Sequence, residues 1–407
     1  MKMITIFAWR NLWRNKLRSI LIIAAFTLGI FAGIFIIAFL NGMINSRVDA
    51  VIGTELSHIQ IHEPGFLDND QFSLRFTVND SLLEKIKNIS HIVAVSKRII
   101  VNSMVASAET GAGVKITGVD PLRERKVTTL FSKIIEGNYF DDKKSNEIII
   151  SEKLAKKLKV RLHNKIILTV LDEKRNITGG SFRIEGIYRT DNQIFDEANV
   201  FVTNNDLASL TGISGNEVHE LAVLLDNNQN TDVTDRALSQ AFPKLEVNSW
   251  LQLSPEAGAL VGAMNQYGYI FTIIILLALC FGIVNTMLMV IMERVHELGM
   301  LMAIGMNRRK VFSMIILETV FLSITGGIAG IISGWAATKY FGIKGINLYF
   351  WKEAFGELGY SSLVFPAIEP KVIVITTCLI IVAGVLSALY PAMKAIHLQP
   401  AKAIRTL

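Results

Sequence analysis

The chain has 407 residues, 51% of them hydrophobic, and a mean hydropathy of +0.41. Its net charge of +6 hides a split: residues 41–267 carry 25 Lys+Arg against 29 Asp+Glu, and the remainder carries 16 against 6. That distribution excludes an ordinary soluble protein, and the lack of a soluble module with clustered base-reading residues excludes a nucleic-acid partner.

Residues 1–18 place Ile6, Trp9, Leu12 and Trp13 near one helical face, with Arg10, Arg14 and Lys16 largely off it. This pattern predicts a cytoplasmic amphipathic helix lying at the headgroup level. Ser19–Leu40 then runs 22 residues without a charge. It is too long for a signal peptide, and Phe39-Leu40-Asn41 is no small-residue cleavage site, so a retained first span is expected at 19–40. Tyr269–Met292 holds 24 uncharged residues, Val311–Ala337 only Glu318, and Val372–Pro391 no charge at all. Spans are expected at 268–292, 311–338 and 371–391, each able to cross a core of about 30 Å. The fold class is therefore membrane α-helical, with four transmembrane helices spaced 1+3. A large extracytoplasmic α+β domain at 41–267 separates the first span from the second.

Lys2, Arg10, Arg14, Lys16 and Arg18 precede the first span; Arg294, Arg308, Arg309 and Lys310 lie in the 293–310 link; Lys394, Lys402 and Arg405 lie in the 392–407 tail. All three segments fall on one side of the four spans, and the positive-inside rule makes that side, with both termini, cytoplasmic.

In the exported domain, β-branched runs predict strands at His58–His62, Ile92–Val95, Val114–Thr117, Glu147–Ile150, Lys165–Val170, Phe182–Ile187, Val200–Thr203 and Leu221–Leu225. Helices are expected at Ser81–Ile89, Ser151–Leu158 and Thr231–Phe242, with Ser151 and Thr231 as N-caps. Gly137-Asn138 and Gly179-Gly180 read as turns. Residues 50–125 and 215–250 form one lobe, into which a β-rich lobe at about 130–212 is inserted. Asn41–Val51 and the helix opened by Ser254-Pro255-Glu256 would make stalks at both ends. Residues 339–370 form a second extracytoplasmic segment. It is helical around Phe350–Phe355, and Tyr349, Trp351 and Tyr360 suit a membrane interface.

No Gly-x-x-x-x-Gly-Lys-Ser/Thr loop and no His-Glu-x-x-His occurs, and no Ser/His/Asp set can be nominated, so no catalytic residue and no metal site is assigned. Cys280 and Cys378 lie within spans and support neither disulfide nor zinc. His58 and His62 share one strand face, which is expected to be solvated. Glu318 is the one ionisable residue inside a span, and a structural or coupling role is expected for it, with Asn285, Thr286 or a second subunit as its partner. Gly29 and Gly33 in the first span, and Gly326, Gly330 and Gly334 in the third, suit close helix packing. The link Glu293–Ile304 predicts about three helical turns, stopped at Gly305 and followed by a new helix from Asn307. Leu298, Leu301, Met302 and Ile304 would form an exposed apolar ridge for a partner.

At these residues the chain resembles the FtsX-like, MacB-like permease family of ABC transporters. The link Glu293-Arg294-x-x-Glu297-Leu298-Gly299-x-Leu301-x-Ala303-Ile304-Gly305 is similar to the family's coupling helix. Leu317-Glu318-Thr319 with Gly326-Gly327, Gly330 and Gly334 resembles its third-span pattern. Tyr390-Pro391-Ala392-x-Lys394-Ala395-x-x-Leu398-x-Pro400-x-x-Ala403-Ile404-Arg405 resembles its C-terminal signature, and Trp9–Arg18 its N-terminal elbow. Gly137-Asn138-Tyr139-Phe140 followed by Glu147–Leu158 resembles the inserted subdomain, except that His163-Asn164 stands where Gly-Asp is frequent.

The resemblance implies a non-enzymatic subunit that carries no cofactor. ATP and Mg would sit on a cytoplasmic ABC ATPase dimer docked at the link, and a second permease, identical or not, would pair with this one. Motion rather than substrate would cross the membrane. Leu40-Asn41-Gly42-Met43, and Phe182–Tyr188 with Asp196, are most like the lipoprotein-releasing (LolC/LolE-type) branch. That branch implies lipoprotein cargo, a periplasmic carrier and an inner-membrane location. The acyl chains would enter near Phe35, Ile36, Phe39, Leu40 and Met43, with Met264, Tyr267, Ile270 and Phe271. Two other roles fit the family: MacB-like efflux of antimicrobial compounds or peptides with an adaptor, and an FtsX-like scaffold for a cell-wall hydrolase.

Overall fold

The computed structural model describes residues 9–10, 16–69, 72–141, 144–174 and 176–396. Ile6, Leu12 and Trp13 of the elbow, and Leu398, Pro400, Ala403, Ile404 and Arg405 of the tail, lie outside them. The chain divides into two compact units. One takes in residues up to Ile44, Val261–Asn347 and residues from Leu363; the other takes in Asn45–Leu260 and Leu348–Ser362.

The helical unit is built on four long helices: α1 (Lys16–Ala50), α2 (Pro255–Glu293), α4 (Arg308–Lys344) and α5 (Pro370–Ile396), with the short α3 (Val295–Ala303) between α2 and α4. Each long helix carries a stretch apolar enough to cross a membrane. Gly262 and Gly268 do not interrupt α2. Ile22, Phe26, Ile30, Ile34, Leu279, Ile283, Met314, Leu322 and Ile380 form the shared core. Trp9 meets Phe321 edge to face, with ring centres 5.6 Å apart.

Among the described residues the α+β unit has twelve strands: β1 (Ile59–His62), β2 (Phe76–Thr77), β3 (Ile92–Ala106), β4 (Gly111–Val119), β5 (Ile134–Gly137), β6 (Glu147–Ser151), β7 (Lys165–Leu171), β8 (Ile177–Tyr188), β9 (Asn199–Thr203), β10 (Glu217–Val218), β11 (Glu220–Leu225) and β12 (Glu246–Ser249). Ten of them form one sheet in the order β12-β1-β11-β3-β4-β9-β6-β8-β5, with β7 bridging β3 and β8. Those last pairings close a ring: β3-β4-β9-β6-β8-β7 and back to β3. Every strand of the ring sends apolar residues into one core, among them Val105, Ile116, Val202, Ile150, Ile184 and Leu168. A closed ring leaves no internal strand edge unpaired.

The β-rich part expected at about 130–212 thus takes in the second half of β3 and β4 as well, and its core draws on residues from Ile99 to Ile213. The strand expected at Ile92–Val95 is a 15-residue β3. Its first half pairs with β11, and its second half pairs with β4 and β7. A second core beside the ring packs Ile59, Ile61, Leu221, Val223 and Val95 under Leu83, Ile86 and Leu238.

Local corrections follow from side-chain packing. Gly179 and Gly180 lie inside β8 rather than in a turn. A Cβ on Gly180 would stand 3.1 Å from the side-chain ends of Leu210 and of Phe182, so any larger residue there would press on both. Ser151 caps the helix Glu152–Leu158 by accepting from Leu154 N–H. Thr231 is the first residue of its helix, not its cap; its hydroxyl donates to the Asn228 carbonyl. His163, standing where glycine is frequent, adopts φ +65°, and its N–H donates to Ile184 O at 2.8 Å. Tyr360 is 2% exposed, so it belongs to a core and not to an interface, while Tyr349 and Trp351 are exposed.

The histidine pair is also corrected. His58 and His62 are buried at 7% and 0% exposure, not solvated. His58 Nδ1 accepts from Leu225 N–H at 3.2 Å, and burial lowers its pKa to about 4 despite the nearby Asp226 carboxylate. An imidazole that binds its proton more weakly when folded adds stability that is complete above about 6.5 and is lost as pH falls towards 4. Urea unfolding of the protein at pH 6.5 and pH 4.5, followed by Trp250 fluorescence, should show a loss to which His58 contributes roughly 2 kcal/mol. His58→Gln should flatten that slope; an unchanged slope would contradict the assignment.

Candidate functional site

The segment between α2 and α4 has the local chemistry of a rigid elbow. Arg294 N–H closes α2 on the Val290 and Ile291 carbonyls, and Arg294 C=O opens α3 by accepting from Leu298 N–H at 2.9 Å. Its backbone, at φ −103° and ψ 12°, belongs to neither helix. At the other end Gly305 takes φ +101°. Gly305 N–H donates to Met302 O at 3.1 Å and Met306 N–H to Leu301 O at 3.0 Å, the double bond of a Schellman stop. Asn307 then caps α4, its side chain accepting from Arg309 N–H at 3.1 Å.

Within this elbow the residues named from the sequence separate into two sets. Leu298 is 2% exposed and packs with Ile291, Val311, Met314 and Ile315, and Gly299 beside it is buried. Leu301 and Met302 pack against the same core. Of the expected exposed ridge only Ile304 remains, at 85% exposure, with the exposed Ala303 and Gly305 on either side of it. Met300, 44% exposed and one helical turn before Ile304, completes the face and was passed over in the sequence pattern. Its spacing of four from Ile304 was the available signal. Glu293 ends α2 at the surface, and Glu297 is half-buried.

Glu318 finds neither Asn285 nor Thr286. Arg294 Nη1 stands 3.2 Å from both of its carboxylate oxygens, and Arg294 Nε reaches Glu297 at 3.4 Å. Thr286 instead donates to Gly282 O within its own helix.

The glycines of α4 face a ridge on α1. A Cβ on Gly326 would lie 2.7 Å from Phe26 Cβ, one on Gly330 2.8 Å from Ile30 Cβ, and one on Gly334 3.2 Å from Ile34 Cβ. Phe26, Ile30 and Ile34 repeat every four residues, as do the glycines, so one row seats in the other. Thr27 Oγ1 donates to Gly326 O at 3.2 Å. On α1 itself, Gly29 abuts Leu279 and Gly33 abuts Thr376 and Ile380.

The nine residues nominated for acyl chains do not share one environment. Leu40 and Met43 are buried at 9% and 6% exposure, which removes them from a free lining. Leu40 lies against Gly268. Phe35 stacks on Phe31 and meets Phe341 edge on. Ile36, Phe39 and Met264 are half-buried, whereas Tyr267, Ile270 and Phe271 are 49%, 51% and 42% exposed. Among the described residues, no cluster of His, Cys, Asp and Glu could hold a metal ion.

Comparison with known proteins agrees with this architecture. The description of the MacB-like periplasmic core domain matches residues 19–241, and that of the FtsX-like permease C-terminal region matches residues 269–400. The lipoprotein-releasing system transmembrane protein LolC of Haemophilus influenzae is 24% identical over 334 residues, 79% of each chain. The macrolide export ATP-binding/permease protein MacB of Rhodopirellula baltica is 23% identical over 199 residues, 46% of this chain and 26% of that protein. The pyoverdine export ATP-binding/permease protein PvdT of Pseudomonas fluorescens is 24% identical over 353 residues, 80% of this chain and 50% of its own length. With four membrane-length helices, an α+β domain between the first two, and both parts matched, the chain belongs to the family of FtsX-like, MacB-like ABC transporter permeases, multi-pass proteins of the inner membrane.

Proposed function

We propose that the chain is the permease of a transporter that lifts lipoproteins out of the inner membrane and passes them to a periplasmic carrier, driven by a separate cytoplasmic ATPase. The observation that carries this reading is the two-way coverage of the LolC relative, 79% of each chain, where MacB is matched over 26% of its length. In this reading both termini are cytoplasmic, ATP and Mg reside on the ATPase dimer, and a second permease completes the assembly. The ATPase docks on the face made by Met300 and Ala303 of α3 and Ile304 at its end, an apolar patch of three residues on a helix closed by a Schellman stop. Movement of α3 passes through the long helices to the exported domain. The exposed Tyr267, Ile270 and Phe271 are the strongest remaining contacts for acyl chains.

Two measurements test it. Met300→Asp with Ile304→Asp should weaken co-purification of the ATPase at least about tenfold, since central apolar anchors carry most of an interface's energy. The variant should unfold at the native temperature, because both side chains are exposed. Retained ATPase binding would remove α3 as the dock. Depletion of the permease should strand lipoproteins in the inner membrane, and normal sorting would defeat the cargo assignment. The match to PvdT over 80% of this chain favours a second reading, export of a small or peptide-like compound. That reading predicts altered drug susceptibility and a bound adaptor in place of sorting defects.

A further inference from the structure

Arg294 does three things at one position. Its N–H ends α2, its C=O begins α3, and its side chain leaves the elbow to reach Glu318 on α4. A joint whose backbone sits outside both helices is the natural place for α3 to pivot. Apolar packing by Leu298 holds the helix down but sets no direction, since apolar contact is non-directional. A guanidinium held 3.2 Å from both oxygens of a buried carboxylate does set one. Glu318 is the single charge between Val311 and Ala337, and its side chain is only 10% exposed. A carboxylate in that setting has a strong requirement for one partner.

We propose that the Arg294–Glu318 pair is the fixed joint that makes a load on α3 move α4 rather than bend the elbow, so that both are positioning residues for transmission. The transmission half of this inference rests on the permease reading above. The joint itself does not. Loss of either charge leaves α3 held only by the non-directional packing of Leu298, Leu301 and Met302 and free to swing about Arg294.

The test uses the full-length protein in lipid nanodiscs. In Glu318→Gln and in Arg294→Gln, amide hydrogen exchange of Val295–Ala303 should rise at least about tenfold, with exchange in the β3–β11 ladder unchanged as the internal control. The double variant Arg294→Glu with Glu318→Arg should return to within about threefold of the native rate, which a merely misfolded helix would not do. In complex with the ATPase, the single variants should hydrolyse ATP within about twofold of native while lipoprotein released per ATP falls at least about fivefold, and the swap should recover release. Unchanged exchange in the single variants overturns the joint. Faster exchange with release per ATP unchanged also overturns it, since the pair would then be structural only. A native chain that recruits no ATPase defeats the permease reading instead, and the exchange data then decide the joint alone.

Discussion

Arg98→Met should cost the α+β unit about 3–5 kcal/mol, the range for removing one partner from a buried charge cluster. Arg98 lies on β3 at 5% exposure. It donates Nη1 to Glu220 Oε1 and Nη2 to Glu124 Oε1, both at 2.6 Å, and Nε to Glu124 Oε2 at 3.3 Å. His62 Nε2 stands 3.3 Å from the other Glu220 oxygen. Burial pushes the Glu220 carboxyl up, but Arg98 and His62 more than offset it and leave it at about 2. A carboxyl depressed on folding adds stability that is present above its unfolded pKa and lost as pH falls through about 2. Without Arg98 the burial of Glu220 is opposed mainly by His62, its carboxyl takes up a proton more readily, and the deficit should shrink on acidification from pH 7 to pH 4.5. Urea unfolding at the two pH values measures this. Adding Glu124→Leu and Glu220→Gln to Arg98→Met should restore most of the loss, because neutral replacement removes the stranded charges. A deficit below about 1 kcal/mol at pH 7 would mean that water already reaches the cluster.

Gly326→Val should prevent α1 from seating on α4, at about 3 kcal/mol or more, the upper end for overpacking. The obstacle is backbone as well as side chain: the added Cβ would meet Phe26 Cβ at 2.7 Å and Ile23 O at 2.8 Å. No change at Phe26 relieves contact with a carbonyl, so Phe26→Leu should not rescue Gly326→Ala. Gly384 makes the contrasting case. Its added Cβ would meet side-chain ends alone, the far edge of the Phe26 ring at 2.4 Å and Ile283 Cδ1 at 3.3 Å, so Phe26→Leu should rescue most of Gly384→Ala. Thermal unfolding in detergent of the three single and two double variants distinguishes the two. Equal rescue at both positions would show that the helices slide apart instead of clashing.

The membrane part of the fold is legible in the chain because hydropathy acts locally: uncharged stretches of 22 and 24 residues declare themselves. The strands are legible for the same reason, as period-two runs. Ring closure is not, since β3 meets β7 across some sixty residues of chain and nothing local encodes that pairing. Gly179-Gly180 misleads because glycine serves tight turns and tight strand packing alike. In the elbow, composition alone gives helix, stop and cap, through Gly305 and Asn307. Which face points inward depends on α4, so Leu298 and Ile304 look equivalent in sequence and are opposite in space. Arg294 and Glu318 stand 24 residues apart, and only the antiparallel run of two helices brings them together.

One strand runs unbroken from the core under Leu83 and Ile86 into the six-strand ring. At about 3.3 Å per residue, its fifteen residues reach on the order of 50 Å. No linker parts the two cores, which share β3 as a common member. A displacement entering at the β12 margin would reach the ring through the β1 and β11 ladders and this one shared beam.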